Sequence, residues 1–181
     1  MEIRSLKLTG SFELTLKRVE DERGFFLRIY DAETFTKYDL QTKWEHDSLS
    51  FNLKRNTIRG LHFQMPPFEE TKLVRVSEGT IWDVIVDLRK DSGTYGQWEG
   101  VELSAENNKC LYIPRGFAHG FCTLTDRATV NYKIDMPYKA DAAAGIRWND
   151  PTLGIPWRAG APVISDRDKA LQFFADFVSP F

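Results

Sequence analysis

Apolar residues in this chain recur at alternate positions over short stretches, which is the spacing of a half-buried β-strand. Phe12, Leu14 and Leu16, for example, alternate with polar residues. Further stretches rich in β-branched and aromatic residues also predict strands, because such residues fit a pleated surface. These strands cover residues 72–77, 80–89, 98–104, 109–113, 121–124 and 129–135. Turn-forming residues at 91–93, 106–108 and 114–116 separate several of them.

Helical patterns are few. Residues 31–40 predict one short helix with Asp31 as its N-cap. Residues 169–178 predict a second, because Leu171, Phe174 and Phe177 would share one helical face. Many strands with few helices favour an all-β sandwich or closed barrel. The small residues at 142–145 are too few to form a linker, so we expect a single domain over residues 1–181.

Composition and charge exclude several classes of protein. The chain has a net charge of −2 with scattered basic residues, so nothing indicates binding to nucleic acid or to an anionic membrane. No stretch resembles a signal peptide or reaches the roughly 20 apolar residues of a membrane helix. Cys110 and Cys122 lie in apolar stretches, which favours buried thiols over a disulfide. These features predict a cytoplasmic protein.

Candidate chemistry centres on His62 and His119, two of the three histidines. His62 lies in Arg-Gly-Leu-His-Phe-Gln (59–64), three residues after an arginine. A guanidinium suits phosphate, so this spacing suggests an anion held beside a base. His119 ends a Pro-x-Gly-x-x-His pattern, which resembles the second motif of the cupins, a superfamily of small double-stranded β-barrels.

A metal-dependent cupin is one interpretation of these histidines. Metal cupins take two histidines and a glutamate from the first motif, but here that motif reads His-Phe-Gln at 62–64. His119 with Glu69 or Glu70 would complete only a weak site, because such sites rely on several imidazoles. We therefore predict no metal, and keep a metal-dependent enzyme as an alternative.

Short motifs extend the likeness over nearly the whole chain. They occupy residues 21–26, 59–64, 72–74, 83–89, 113–121, 148–150 and 165–168. Each alone is weak, but together, in this order and spacing, they resemble the dTDP-4-dehydrorhamnose 3,5-epimerases, a cofactor-independent cupin branch. The resemblance implies a cupin-type jelly-roll barrel (a double-stranded β-helix) with a few short helices. It also implies conversion of dTDP-4-dehydro-6-deoxyglucose to dTDP-4-dehydrorhamnose with no cofactor.

The resemblance implies four catalytic residues. A ketone at C4 acidifies the hydrogens on C3 and C5, because the resulting carbanion is delocalised as an enolate. Epimerisation then needs a base, a proton donor on the opposite face and a group that stabilises the enolate oxygen. His62 matches the family's base, and Asp168 matches the carboxylate beside it. Tyr132 matches the proton donor, and Lys72 matches the cation near the enolate.

Each of these residues also has a structural interpretation. His62 taken alone is compatible with a structural histidine, and Asp168 with the cap of the helix predicted after it. Tyr132 is compatible with the apolar core and Lys72 with a solvated strand end. The joint match favours catalysis. It argues against a sugar-binding cupin without activity, because binding alone needs no acid–base set.

The resemblance also implies residues that bind the substrate. Arg23 and Arg59 match diphosphate contacts, and Arg167 stands where the family often has a basic residue. His119 matches a substrate-contact position. Arginine and histidine at these places would complement the negative charge of a nucleoside diphosphate.

Aromatic residues are expected at the nucleotide base. Phe26 and Tyr138 are candidates to stack on its two faces. Members of the family are usually homodimers that share strands, so we expect a homodimer here. Residues near the N-terminus, including Arg23 and Phe26, would then complete the partner's site.

A few positions depart from the family pattern, and all of them concern substrate binding. Arg28 stands where a glutamate usually faces thymine. Asp47 and Leu49 replace a Gln-x-Asn pair, and Ala143 replaces a glutamate. Because arginine only donates hydrogen bonds, it would suit the acceptor atoms of cytosine. A CDP-sugar therefore stays an alternative substrate, as do epimerisation at C3 or C5 alone and, more distantly, a 4-keto to 3-keto sugar isomerase.

Overall fold

The computed structural model describes residues 1–181 as thirteen β-strands and two short α-helices. The strands are β1 (Glu2–Ser5), β2 (Phe12–Thr15), β3 (Arg18–Asp21), β4 (Gly24–Leu27), β5 (His46–Asn52), β6 (Ile58–Gln64), β7 (Lys72–Glu78), β8 (Thr80–Asp87), β9 (Trp98–Ser104), β10 (Lys109–Ile113), β11 (Phe117–Thr123), β12 (Ala128–Ile134) and β13 (Ala143–Gly145). The helices are α1 (Ala32–Lys37) and α2 (Asp166–Lys169), with 3₁₀ turns at Ala140–Ala142 and Phe174–Asp176.

Two antiparallel sheets form the barrel. One has the strand order β1-β2-β10-β7-β12-β5 and the other β13-β6-β11-β8-β9, while β3 and β4 form a separate hairpin. Neighbours in each sheet are often distant in sequence, as in a jelly roll. The all-β prediction is therefore confirmed.

Successive side chains of each strand point to opposite faces of the sheet, and this alternation determines which residues form the core. β8 contributes Ile81 and Ile85 to the cluster between the sheets, and Val84 and Val86 to a second cluster on the outer face of the five-stranded sheet. The C-terminal part of the chain covers that outer face, with Trp157 among its buried residues. Strand β8 is therefore buried on both faces, which explains its long apolar run.

Helix α1 covers part of the six-stranded sheet. Its Phe35 is fully buried and packs with Leu14 and Tyr112 of that sheet. Asp31 caps the helix, because its side chain accepts a hydrogen bond from the Thr34 N–H at 2.9 Å. The predicted cap and helix are confirmed, although the helix is shorter than residues 31–40.

The predicted helix over residues 169–178 is wrong. Helix α2 ends at Lys169, and only one 3₁₀ turn forms after it, because the backbone between them bonds to neighbouring segments. The Arg147 N–H donates to the Gln172 carbonyl at 2.8 Å, and the Phe174 N–H donates to Asp150 Oδ2 at 2.6 Å. These bonds hold the chain extended, so Leu171, Phe174 and Phe177 share no helical face.

The strand predictions are confirmed within one or two residues, with some exceptions. β11 begins at Phe117, four residues before the predicted start. β5 and β6 were not predicted, because they carry too many polar residues to show an apolar pattern. Both cysteines are buried and free, as predicted. Neither helix has the length and apolar character that a membrane crossing requires.

Candidate active site

Polar side chains replace apolar ones at the inward-facing positions near one end of the barrel. They surround a cavity of about 290 Å³. Strands β5, β6, β7, β11 and β12 supply its whole lining, which comprises Ser48, Ser50, Arg59, His62, Lys72, His119, Gly120, Phe121, Tyr132 and Ile134. Five residues predicted from the sequence therefore meet here: Arg59, His62, Lys72, His119 and Tyr132.

Two glycines let β6 and β11 approach closely beneath this cavity. Gly60 has a φ of +114°, which favours glycine, and a Cβ there would lie 2.7 Å from both Gly120 Cα and the His119 carbonyl oxygen. Just beyond this contact, His62 and His119 are direct cross-strand partners. Gly60 thus permits the close approach of β6 to β11 next to this histidine pair.

His62 is held by a buried carboxylate. Its Nε2 lies 2.7 Å from Asp168 Oδ1, and Asp168 Oδ2 accepts the Gly60 N–H at 3.2 Å. Burial would raise the pKa of Asp168, but the hydrogen bond and charge of His62 and the Gly60 N–H together lower it. The carboxylate therefore stays ionised beside the imidazole and leaves Nδ1 of His62 for a substrate. The helix-cap interpretation of Asp168 is wrong, because the helix predicted after it does not form and Asp168 lies inside α2, which Ser165 caps.

Tyr132 points inward from β12 toward the two histidines. The centroid of its ring lies 6.1 Å from that of His119, in an edge-on arrangement. Burial and the nearby Asp83 carboxylate raise the pKa of Tyr132, and the charge of Arg59 opposes them only in part. The hydroxyl is therefore protonated at neutral pH, as a proton donor must be before the reaction.

A second imidazole–carboxylate pair lies deeper in the barrel. His119 Nε2 lies 3.0 Å from both oxygens of Asp83, which is fully buried. Burial raises the pKa of Asp83, although the charges of His119 and Lys72 and the hydrogen bond from His119 oppose this. Asp83 was not among the predicted site residues, although an acidic residue within the apolar run of β8 indicates a buried charge that needs a partner.

Lys72 is also buried, so the interpretation as a solvated strand end is wrong. Its Nζ lies 2.8 Å from Glu70 Oε1. At the mouth of the cavity, Arg59 donates from Nε to Asn52 Oδ1 at 2.7 Å, which orients the guanidinium. Neither Glu70 nor Asn52 was predicted to orient a site residue, and Asn52 lies on β5, a strand that was not predicted.

The predicted residues of the N-terminal hairpin lie outside this cavity. Arg23 is exposed and pairs with Asp21, and Phe26 is 64% exposed. Arg28 is paired with Asp31 at 3.3 Å. Within one chain, the structure does not bring these residues to His62.

The remaining predicted binding residues, Asp47, Tyr138 and Arg167, are exposed and do not line the cavity. Asp47 lies on the outer face of β5, where it accepts from Lys133 Nζ at 2.9 Å. Tyr138 is 61% exposed. Arg167 is also exposed, and its charge lowers the pKa of Asp168, although less than His62 and the Gly60 N–H do. Within one chain, Asp47 therefore faces away from the cavity.

The residues of the alternative metal site do not fit a metal. The Gln64 amide donates to Glu70 Oε2 at 3.1 Å, and Glu70 is already paired with Lys72. His62 and His119 are each committed to a different carboxylate. No group of three or more His, Cys, Asp or Glu side chains is arranged to hold a metal ion.

A base backed by a carboxylate, a protonated phenol and a buried cation around one cavity define an acid–base enzyme on a β-barrel. Comparison with known proteins specifies the class. The family model for dTDP-4-dehydrorhamnose 3,5-epimerase matches residues 5–176. The epimerase of that name from Shigella flexneri is 43% identical over 157 residues, which is 86% of each chain.

Solved structures agree. The crystal structure of the 3,5-epimerase from Bacillus anthracis, with TDP and pyrophosphate bound, has a TM-score of 0.93 and 43% identity, and the match covers 95% of this chain and 98% of that one. A 3′-monoepimerase from Streptomyces bikiniensis, solved with dTDP as a double mutant of one histidine and one tyrosine, has a TM-score of 0.89 and 28% identity over 94% of this chain and 86% of its own. The chain belongs to the dTDP-4-dehydrorhamnose 3,5-epimerase family. It is an isomerase, and its fold is the predicted cupin-type jelly roll.

Proposed function

We propose that this enzyme epimerises dTDP-4-dehydro-6-deoxyglucose at C3 and C5 to give dTDP-4-dehydrorhamnose. The observation that carries the proposal is the placement of the His62–Asp168 pair and the Tyr132 hydroxyl around one cavity. Epimerisation requires a base and an acid that reach one carbon from opposite faces. The side chains of this chain supply both, and the proposed mechanism needs no cofactor.

The reaction proceeds through an enolate. Nδ1 of His62 removes the proton from C3 or C5, and the ionised Asp168 stabilises the resulting imidazolium. The electron pair moves onto the C4 oxygen, where the Lys72 ammonium balances the developing charge. The Tyr132 hydroxyl then delivers a proton to the opposite face of the carbon, and solvent restores both groups to their starting states. A second round inverts the other carbon.

The monoepimerase named above bears on the number of carbons inverted. Its mutated histidine and tyrosine stand seventy residues apart, which is also the separation of His62 and Tyr132. This spacing supports their assignment as the reacting pair. A histidine–tyrosine pair therefore does not by itself set the number of epimerised carbons. Inversion at both is supported by the 3,5-epimerases, which share 43% identity with this chain.

For the nucleotide we propose dTDP rather than CDP. The CDP alternative rested on Arg28 as a donor toward cytosine, but this guanidinium is paired with the Asp31 carboxylate. Asp31 is itself occupied as the cap of α1. The solved relatives described above contain TDP or dTDP. The nucleotides bound in these relatives therefore support dTDP for this chain.

We also propose a homodimer in which the β3–β4 hairpin completes the partner's site. Val19, Phe25 and Phe26 leave more than half of their surface exposed on this hairpin, and Leu49 does so on the edge strand β5. A patch of this kind on a soluble domain is typical of an interface. A hairpin that completes the partner's site would explain why Arg23 and Phe26 lie apart from His62 within one chain.

Mixing two variants of low activity tests this arrangement. Arg23→Ala and His62→Asn homodimers are each expected to be weakly active, whereas mixed dimers regain about one intact site in two. Recovery of activity on mixing supports the exchanged hairpin. Retention of activity in a monomer, or no recovery in verified mixed dimers, contradicts it.

Residues 1–181 are proposed to form one domain, because β8 and β11 contribute to both large core clusters. We assign the enzyme to the cytoplasm, since two buried free cysteines suit a reducing compartment.

The substrate is tested by deuterium exchange. The purified protein is incubated in D₂O with dTDP- or CDP-4-keto-6-deoxyglucose, with and without chelator, and C3 and C5 are followed by NMR. The proposal expects exchange at both carbons, faster with dTDP and unchanged by chelator. Exchange at a single carbon would refute inversion at both carbons. Faster exchange with the CDP-sugar would refute the choice of nucleotide, and loss of exchange with chelator would refute the metal-free mechanism.

A further inference from the structure

A chain of buried polar contacts runs from Lys72 away from the cavity. Lys72 Nζ lies 2.8 Å from Glu70 Oε1, and Glu70 Oε2 accepts from the Gln64 amide at 3.1 Å. Lys72 and Glu70 have side chains 10% and 12% exposed, and Gln64 is 2% exposed. Of the three, only Lys72 lines the cavity.

The geometry of Glu70 fixes the position of the ammonium group. Each carboxylate oxygen has its own donor, so the carboxylate cannot turn without breaking one of two contacts. A lysine side chain has several rotatable bonds and would otherwise place Nζ in many positions. Glu70 therefore restricts Lys72 to one arrangement at the cavity wall.

Gln64 connects this ion pair to the segment that bears Tyr138. Its Oε1 accepts the Lys139 N–H at 2.7 Å, and its Nε2 also lies 3.3 Å from the Pro137 carbonyl oxygen. The amide thus holds the backbone on both sides of Tyr138. A shift of Gln64 would move Glu70 and this segment together.

We infer that Glu70 and Gln64 are positioning residues, which set the Lys72 ammonium against the developing enolate oxygen. This inference rests on the proposed function. A buried ion pair is by itself a poor source of stability, because desolvation offsets the attraction between the charges. A role in orienting Lys72 instead predicts an effect on kcat that depends on Lys72.

The first test is Glu70→Ala in the full chain. Freed from its partner, the ammonium loses its fixed position, and a displacement of about 1 Å at a reacting group costs on the order of 10²-fold. We expect kcat to fall about 10- to 100-fold, with KM within about twofold, because Glu70 does not line the cavity. Glu70→Gln keeps one acceptor for Lys72 but cannot accept from Gln64, so a smaller loss of about 3- to 10-fold is expected.

A double-mutant cycle separates positioning from general destabilisation. In a Lys72→Met background, Glu70→Ala should lower the rate of deuterium exchange by less than about threefold, because no ammonium is left to position. Glu13→Ala is the matched control, since Glu13 is also buried and pairs with Lys109 at 3.0 Å on the six-stranded sheet. Its kcat should equal that of the wild type.

The outcomes separate this inference from the proposed function. If the wild-type enzyme exchanges no deuterium, the proposed function fails and the inference fails with it. If the wild type is active but Glu70→Gln and the folded Glu70→Ala keep full kcat, the inference alone is overturned. It is also overturned if Glu70→Ala costs as much in the Lys72→Met background as in the wild type. If Glu70→Ala does not fold, wild-type kcat in Glu70→Gln is sufficient to overturn it.

Discussion

Replacing Asp168 by asparagine probes how the carboxylate directs His62. The change leaves the size of the side chain almost the same, but it replaces one acceptor oxygen by an NH₂ donor. In the wild type, one oxygen faces His62 Nε2 at 2.7 Å and the other faces the Gly60 N–H at 3.2 Å. Asparagine can accept a hydrogen bond from only one of these two N–H groups.

The magnitude follows from the two orientations of the amide. With its oxygen toward His62, the NH₂ group faces the buried Gly60 N–H, at a cost of about 1–3 kcal/mol or roughly 5- to 150-fold. With the NH₂ group toward Nε2, the imidazole proton moves to Nδ1, which can then no longer act as a base. Loss of the charge-assisted bond to the imidazolium adds about 1.5–3 kcal/mol. Together these effects lower kcat by about 10²–10⁴-fold.

The assay is the initial rate of deuterium incorporation at C3 and C5 under saturating substrate. KM should change little, because Asp168 is buried behind His62 and does not line the cavity. Asp166→Asn, an exposed position in the same helix that pairs with Lys169, is the control and should keep the wild-type rate. A kcat within threefold of wild type for Asp168→Asn, or an equal loss in the control, would refute the reasoning.

Three further predictions test other parts of the account. Tyr132→Phe removes the proton donor but not the base, so deuterium exchange should persist while formation of the inverted product falls about 10²–10⁴-fold. If exchange and product formation fall equally, Tyr132 is not the proton donor. Gly60→Ala places a Cβ 2.7 Å from the β11 backbone at a φ of +114°. It should therefore lower the free energy of unfolding by about 2 kcal/mol or more, and also lower kcat. A variant that stays stable and active would contradict the packing argument. Burial raises the pKa of Asp87, but hydrogen bonds from Arg89, Ser92 and Thr94 lower it overall, so its stabilising effect is present at neutral pH and lost as the pH falls through the folded-state pKa. Urea unfolding should therefore show a destabilisation by Asp87→Asn at pH 7 that shrinks below about pH 4, and a penalty that does not change with pH would exclude the ionised pair.

Part of this structure was predictable from local pattern. The strands with apolar alternation were predicted because their inward and outward faces differ in polarity. Strand β5 was not, because its inward positions, including Ser48 and Ser50, face a polar cavity and its outward Leu49 is exposed. The region that makes the site is therefore the region in which the strand pattern fails.

The partners of the site residues depend on the three-dimensional fold. His62 and Asp168 are 106 residues apart, and only the path of the C-terminal segment over the outer sheet brings them to 2.7 Å. The family resemblance supplied that pairing, whereas nothing in the sequence paired Asp83 with His119. The false helix over residues 169–178 has the same origin, since backbone bonds to Arg147 and Asp150 override local helical spacing.

The central claim is that His62 abstracts the substrate proton. The most direct test compares wild-type enzyme with His62→Asn in D₂O, with dTDP-4-keto-6-deoxyglucose as substrate and NMR detection at C3 and C5. The account predicts deuterium at both carbons with the wild type and at neither with a folded His62→Asn variant. Exchange by His62→Asn at the wild-type rate would contradict it and assign the base to another residue.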